Sequence, residues 1–184
     1  MLEERKRKIL ELKKNFRAVD PRPQLSFSRL KTSIPMGCLV EISAEPGLGA
    51  AELILSLAAE HPHLRIACLE EDNRIFPRAF PQHRVSLDRI LFVETGSQTL
   101  WTLQQLLKSG LFQILIVRGA IDGSSNLKRL QLLSEAVPAI VLFWTDRPSE
   151  INTWYYQLQI HIPHRNKFEV LRQRGASPWM EIAR

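Results

Sequence analysis

The chain has 184 residues, of which 45% are hydrophobic and 24% charged, and this composition is typical of a single globular domain with a hydrophobic core. Its apolar runs are too short to cross a membrane and its start is charged, so we expect a cytoplasmic protein without a membrane span or signal peptide. The net charge of +6 is compatible with a solvated basic helix, and also with an acidic partner or nucleic acid.

The first segment has the pattern of one amphipathic helix. Apolar residues recur there at helical spacing among charged ones, and prolines at positions 21 and 23 end the pattern. We therefore predict an N-terminal helix and linker arm at residues 1–31 and a core domain at residues 32–184. The arm either packs on its own domain or is offered to a partner. The candidate partner surface comprises the apolar stripe, its basic neighbours and the apolar linker residues: Leu2, Ile9, Leu12, Phe16, Arg5, Lys6, Lys8, Leu25, Phe27 and Leu30.

Apolar strands and helices alternate from residue 38 onward. Strands that are apolar almost throughout and separated by helices predict a parallel sheet covered by helices on both faces. After Pro148 the segments are short and alternate between apolar and polar residues, which predicts antiparallel strands at one sheet edge. The predicted strands lie at 38–43, 65–69, 90–94, 114–117, 139–144, 157–162, 168–172 and 179–182, and the predicted helices at 50–60, 99–108 and 127–136.

Residues 44–51 stand between a strand and a helix, where a nucleotide-binding P-loop would lie. A working loop reads G-x-x-x-x-G-K-[ST], because its lysine contacts the β- and γ-phosphates and its hydroxyl holds Mg²⁺. Here Ala44 replaces the first glycine, Gly49 is retained, Ala50 replaces the lysine and Ala51 replaces the hydroxyl residue. The sequence thus predicts a P-loop frame without the groups that bind ATP.

Cysteine, histidine and aromatic residues give weaker signals. Cys38 and Cys68 fall on strands that we predict to be neighbours, without C-x-x-C spacing, and we interpret them as buried thiols. The histidines lack companions at metal-site spacing, so we expect no zinc site. Trp101 and the run at residues 154–156 are predicted to fill the core, although the run could also stack on bases.

Several stretches of the chain, in order, resemble RecA-type recombinases. The stretch 35–42 resembles the strand before the P-loop, 67–72 the strand with the catalytic acid, 85–91 the entry to the third strand, and 109–117 the approach to Walker B. The stretches 127–135 and 170–175, with Phe143, Arg147 and Pro148, are more similar to the ImuA proteins and the related SulA division inhibitors. The resemblance covers most of residues 30–175 and implies a RecA-like α/β fold.

Residue by residue, the resemblance also implies that ATP chemistry is lost. The Walker B aspartate position holds Arg118, which would repel Mg²⁺, and the catalytic-acid position holds Asp72 without a lysine or metal beside it. We therefore expect a pseudo-ATPase with no cofactor and no metal. Arg118 is predicted either to pair with Glu70, Asp72 or Glu45, or to stand exposed on a loop.

The function implied by the ImuA resemblance is an accessory role in bacterial DNA-damage mutagenesis. Such proteins act in the SOS response and translesion synthesis beside ImuB, an inactive Y-family polymerase relative, so the implied partners are ImuB, RecA or a second copy. The segments after the fourth and fifth strands are too short for the DNA-binding loops of RecA, so we expect no direct DNA binding. Two alternatives remain: a SulA-like inhibitor that binds FtsZ, and a nucleotide- or DNA-binding RecA paralogue.

Overall fold

A seven-stranded sheet organises the protein, whose computed structural model describes residues 22–72, 75–149, 153–165 and 167–174. A two-stranded hairpin precedes the sheet, and helices connect its parallel strands. The strands are β1 (Gln24–Phe27), β2 (Thr32–Pro35), β3 (Cys38–Ala44), β4 (Ile66–Glu70), β5 (Ile90–Glu94), β6 (Ile114–Arg118), β7 (Ile140–Thr145), β8 (Tyr156–His164) and β9 (Lys167–Gln173). The helices are α1 (Ala50–Glu60), α2 (Ala79–Gln82), α3 (Thr99–Ser109) and α4 (Ser124–Ala136).

The strand order of the large sheet is β5-β4-β6-β7-β3-β8-β9. Every neighbouring pair is parallel except β8 and β9, which run antiparallel at one edge. The predicted α/β fold, with a mostly parallel sheet and an antiparallel edge, is therefore confirmed. The predicted strand at 179–182 lies outside the described residues.

Helices cover both faces of the sheet, because nearly every central strand residue is apolar and neither face can be left in water. One face packs against α1 and the β1–β2 hairpin. The opposite face packs against α3 and α4. Within the described residues, no helix is long and apolar enough to cross a membrane.

The β1–β2 hairpin corrects the predicted boundary at residue 31. β1 pairs with β2 from Gln24 opposite Pro35 to Phe27 opposite Thr32, so residues 24–31 fold with the core. Phe27 is fully buried and therefore is not part of a partner surface; Leu25 and Leu30 are buried as well. This part of the prediction is wrong because the linker residues pack against α1 instead of standing free. The remainder of the predicted arm, residues 1–21, lies outside the described residues and stays a prediction.

Three smaller predictions are also corrected. Cys38 and Cys68 are both buried, as predicted, but two strands, β7 and β6, separate their strands in the sheet. Trp101 was predicted to fill the core, yet 60% of its surface is exposed. In the run 154–156, Tyr156 is buried in the core as predicted, whereas Trp154 is 69% exposed.

Candidate functional site

The loop at the P-loop position has the predicted strand–loop–helix geometry. β3 ends at Ala44 and α1 begins at Ala50, with a tight turn between them. Gly47 and Gly49 take φ values of 87° and 109°, which favour glycine because they strain residues with a Cβ atom. The frame of the loop is thus retained, while Ala50 is buried and carries no charge.

Two glutamates flank the loop at the P-loop position. Glu45 is exposed at the start of the turn, and its backbone carbonyl accepts a hydrogen bond from the Leu48 N–H at 3.2 Å. Glu52 lies in the first turn of α1 and forms an ion pair with Arg29 at 2.9 Å. Because a carboxylate in the first turn already interacts with the positive end of the helix dipole, it opposes a second anion there.

Arg118 is held by groups of the neighbouring strand and the loop that follows it. Its register partner on β7 is Trp144, whose carbonyl oxygen accepts a 3.0 Å hydrogen bond from Nη1. Nη2 contacts Asp146 Oδ1 at 2.5 Å, and the guanidinium carbon lies 5.0 Å from the centre of the Trp144 ring. The Arg118 side chain is only 12% exposed.

The predicted partners of Arg118 are corrected by this geometry. The acid that pairs with it is Asp146, because β7 is adjacent to β6 and ends beside it. Glu70 is instead buried and accepts a hydrogen bond from the Ile75 N–H at 2.6 Å. Arg118 is thus paired and mostly buried instead of exposed on a loop, but its acid is Asp146 and none of the three predicted acids.

A polar cleft opens at the carboxyl ends of β4, β6 and β7. Its volume is about 480 Å³, and this edge is where open parallel sheets usually bind ligands. It brings together Arg118 and Asp72, which were predicted as site residues, whereas Ala44, Gly49, Ala50 and Ala51 do not line it. The lining residues are Glu71, Asp72, Thr99, Arg118, Gly119, Ala120, Thr145, Asp146 and Arg147.

An apolar pocket of about 200 Å³ lies beside α1 and is lined in part by Trp144. Ala51, at the position of the magnesium-binding hydroxyl, lines this pocket with Ile54 of the same helix. Phe76, which is 62% exposed, also contributes to the lining. Near α1, the methyl group of Ala51 therefore contributes to a surface suited to an apolar side chain, not to a metal.

A buried polar cluster around Glu41 was missed in the sequence. Glu41 is fully buried on β3, and its carboxylate accepts hydrogen bonds from the N–H and Oγ of Ser149 and, at 2.6 Å, from Nε2 of Gln159. Burial, together with the charge of Glu41, raises the pKa of Tyr156 to about 12. The sequence signal for this cluster was the glutamate within the apolar run at 39–42. In a strand at the centre of a sheet, such a glutamate is expected to be buried and hydrogen-bonded.

The buried thiols give no sign of a nucleophile. Desolvation raises the pKa of Cys68 far above its usual value, and the charge of Glu70 acts in the same direction. A cysteine in this state remains a protonated thiol at neutral pH. In the part of the chain that the structure describes, no group of three or more His, Cys, Asp or Glu residues could hold a metal ion.

The remaining predicted site residues lie outside the described residues. They are the apolar stripe and basic residues of the N-terminal segment: Leu2, Ile9, Leu12, Phe16, Arg5, Lys6 and Lys8. No family model matches this chain, and no curated protein sequence matches it significantly.

Proposed function

We propose that this chain is a RecA-like accessory protein of DNA-damage mutagenesis that binds protein partners and does not hydrolyse ATP. One observation carries the proposal: the positions that need a cation, a hydroxyl and a metal-binding carboxylate hold Ala50, Ala51 and Arg118. Ala50 is buried, Ala51 lines an apolar pocket, and Arg118 is paired with Asp146. None of the three offers a group that could bind β- and γ-phosphates or Mg²⁺.

The sheet supports the RecA resemblance on which this proposal depends. β3, β4 and β6 carry the stretches that resemble the P-loop strand, the catalytic-acid strand and the Walker B strand. All three are parallel members of one sheet, so their carboxyl ends lie along the same edge. The residues matched to the three motifs therefore share the edge that a RecA-type site requires.

A nucleotide titration tests the loss of ATP chemistry. We expect isothermal titration of the full chain with ATP and Mg²⁺ to give no saturable heat, and phosphate release to remain at the level of buffer. Saturable binding below the millimolar range would overturn this part of the proposal and favour a nucleotide-binding RecA paralogue.

The partner-binding part of the proposal rests on the apolar stripe of the N-terminal segment. Because Phe27 is buried, truncation of residues 1–31 would remove part of the core and could not isolate partner binding. Point variants in the full chain avoid this problem. Ile9→Asp places a charge on the stripe, whereas Leu10→Asp places the same charge about 100° away around the predicted helix and serves as a matched control.

The two variants are compared in pull-downs with a purified ImuB-type protein and with RecA. We expect the stripe variant to lose at least about tenfold in affinity, since burying charge at an apolar interface is costly, and the Leu10→Asp control to bind as the unmodified chain does. Equal binding by the stripe variant would remove the N-terminal segment from the partner surface. Inhibition of FtsZ sedimentation would favour the SulA-like alternative instead.

A further inference from the structure

An exposed tryptophan marks one corner of the sheet, where β8 begins and β9 ends. Trp154 lies in a short 3₁₀ helix before β8, and 69% of its surface is exposed. The guanidinium carbon of Arg172 on β9 lies 4.7 Å from the centre of its ring. Tryptophan is mostly buried in folded proteins, and tryptophan and arginine are enriched among the interface residues that dominate binding. This exposed pair therefore has the composition of a protein-binding site.

A second arginine extends this corner. The Arg174 N–H donates a 2.9 Å hydrogen bond to the carbonyl oxygen of Gln157, so the pairing of β8 with β9 continues past the last residue of β9. Because side chains two residues apart in a strand project to the same side, Arg172 and Arg174 share one face. We call Trp154, Arg172 and Arg174 the tryptophan–arginine corner.

The guanidinium groups of the corner have no carboxylate partner in the part of the chain that the structure describes. The acid of β9 is already paired, since Lys167 Nζ lies 3.2 Å from Glu169 Oε1. Of the three Arg172 nitrogens, only Nε is both buried and without a hydrogen bond. The two Nη nitrogens, which donate no hydrogen bond among the described residues, therefore remain open to solvent and are the atoms that a ligand would contact.

The net charge of the described residues is concentrated at this edge of the sheet. Residues 22–72 and 75–149 hold twelve arginines and lysines and twelve aspartates and glutamates. Residues 153–165 and 167–174 hold four arginines and lysines against one glutamate. An acidic partner is therefore attracted to this edge more than to the remainder of the described surface.

The aromatic run at 154–156 favours a protein partner over a single-stranded nucleic acid. Proteins that bind single strands without sequence preference stack successive bases on several aromatic rings. Here Tyr156 is buried and Tyr155 is half-buried against the core, so Trp154 is the ring of the run that is largely exposed. A single ring suits one apolar side chain, and the neighbouring guanidinium groups suit carboxylates, which arginine can bind through two parallel hydrogen bonds.

We propose that the tryptophan–arginine corner binds an acidic segment of a protein partner. An apolar side chain of that segment packs on the Trp154 ring, and carboxylates beside it pair with Arg172 and Arg174. The corner is separate from the N-terminal segment and from the loop at 44–51. Binding at the corner therefore does not depend on the function proposed above.

Fluorescence polarisation with the full chain and labelled probes tests the proposal. The acidic probe is fluorescein-Gly-Glu-Asp-Leu-Asp-Glu-amide, its neutral match is fluorescein-Gly-Gln-Asn-Leu-Asn-Gln-amide, and a labelled oligothymidine represents nucleic acid. We expect the acidic probe to bind saturably at low salt. The neutral probe should bind at least about tenfold more weakly, because it cannot form charge-assisted pairs with the arginines.

Matched variants locate the binding surface. Arg172→Gln and Arg174→Gln should each raise the dissociation constant of the acidic probe by about threefold or more, as expected for the loss of one exposed ion pair. Arg129→Gln, which changes an exposed arginine of α4, should leave this constant unchanged. Trp154→Ala should also weaken binding, whereas Trp101→Ala, at a tryptophan of α3 that is 60% exposed, should not.

Arg174→Gln separates binding from folding. The hydrogen bonds between Arg174 and Gln157 use the backbone atoms of Arg174, so this variant should melt at the temperature of the unmodified chain. Any of five results would overturn the proposal: no saturable binding of the acidic probe, equal affinity for the neutral probe, an unchanged dissociation constant in both Arg172→Gln and Arg174→Gln, equal losses in the two tryptophan variants, or tighter binding of the oligothymidine than of the acidic probe.

Discussion

Replacement of Phe27 by alanine distinguishes a hairpin that belongs to the core from an arm offered to partners. The ring is fully buried and packs in the cluster that contains α1. Burying an aromatic side chain removes about 150–250 Å² from water, which corresponds to about 4–6 kcal/mol at about 25 cal/mol per Å². Measured Phe→Ala substitutions in cores cost about 3–5 kcal/mol. We expect Phe27→Ala to lower the free energy of unfolding by about 3–5 kcal/mol.

Urea unfolding followed by circular dichroism measures this change. The dependence of the unfolding free energy on urea should stay the same, because both variants expose nearly the same surface when they unfold. Phe76→Ala is the matched control: its ring is 62% exposed, so its effect should remain within about 0.5 kcal/mol. A loss below about 1 kcal/mol for Phe27→Ala, or equal losses in both variants, would refute the packing of the hairpin on α1.

Three further substitutions test other parts of the structure. Arg118→Ala removes the pair with Asp146 and should lower stability in thermal melting by about 1–2 kcal/mol, because the pair is partly exposed. Gly37→Ala should lower the free energy of unfolding, measured in urea, by about 1–3 kcal/mol, because φ is +76° and the new Cβ would lie 2.8 Å from a carbonyl oxygen of α4. Gly96→Ala places its Cβ in open space and should lower this free energy less. For Tyr156, burial raises the folded pKa above its ordinary value, so stability falls as the pH rises from about 10 to 12, and Tyr156→Phe should remove this fall.

The parallel sheet could be predicted because its elements carry strong local signals. The helix at 50–60 and the strand at 90–94 were predicted with the bounds that the structure has. An uninterrupted apolar run of four to seven residues between helical patterns has few alternatives to a buried parallel strand. The antiparallel edge could be predicted because its residues alternate between apolar and polar, which is typical of a strand with one face in water.

The hairpin was missed although its sequence carries a period of two. In β1, Leu25 and Phe27 are buried and alternate with the exposed Gln24 and Ser26. The strand has only four residues and lies beside prolines, so we predicted a linker there in spite of the alternating pattern. Its pairing also depends on contacts that are distant in sequence, with the end of α1 and the residue after it. His61 Nε2 lies 2.8 Å from the Ser26 carbonyl oxygen, and Glu60 accepts a hydrogen bond from the Ser28 N–H at 2.9 Å.

The partner of Arg118 could not be predicted, since sequence gives the order of strands along the chain but not across the sheet. Acids follow several predicted strands, and only the order β4-β6-β7 makes Asp146 the neighbour of Arg118. The same limitation explains why Cys38 and Cys68 were predicted on adjacent strands. Strand neighbours depend on long-range packing, which no short window of sequence contains.

In the RecA-like relation proposed above, the geometry of Arg118 links the substitutions at positions 50, 51 and 118. A guanidinium group at a mostly buried strand end is stable only if its charge is offset, and Asp146, the Trp144 carbonyl and the Trp144 ring together supply that offset. Once the cation is part of the protein, a metal ion at the same place would be repelled. A lysine and a hydroxyl at positions 50 and 51 would then have no Mg²⁺–phosphate complex to contact, so nothing favours those groups over alanine, which is the better helix former.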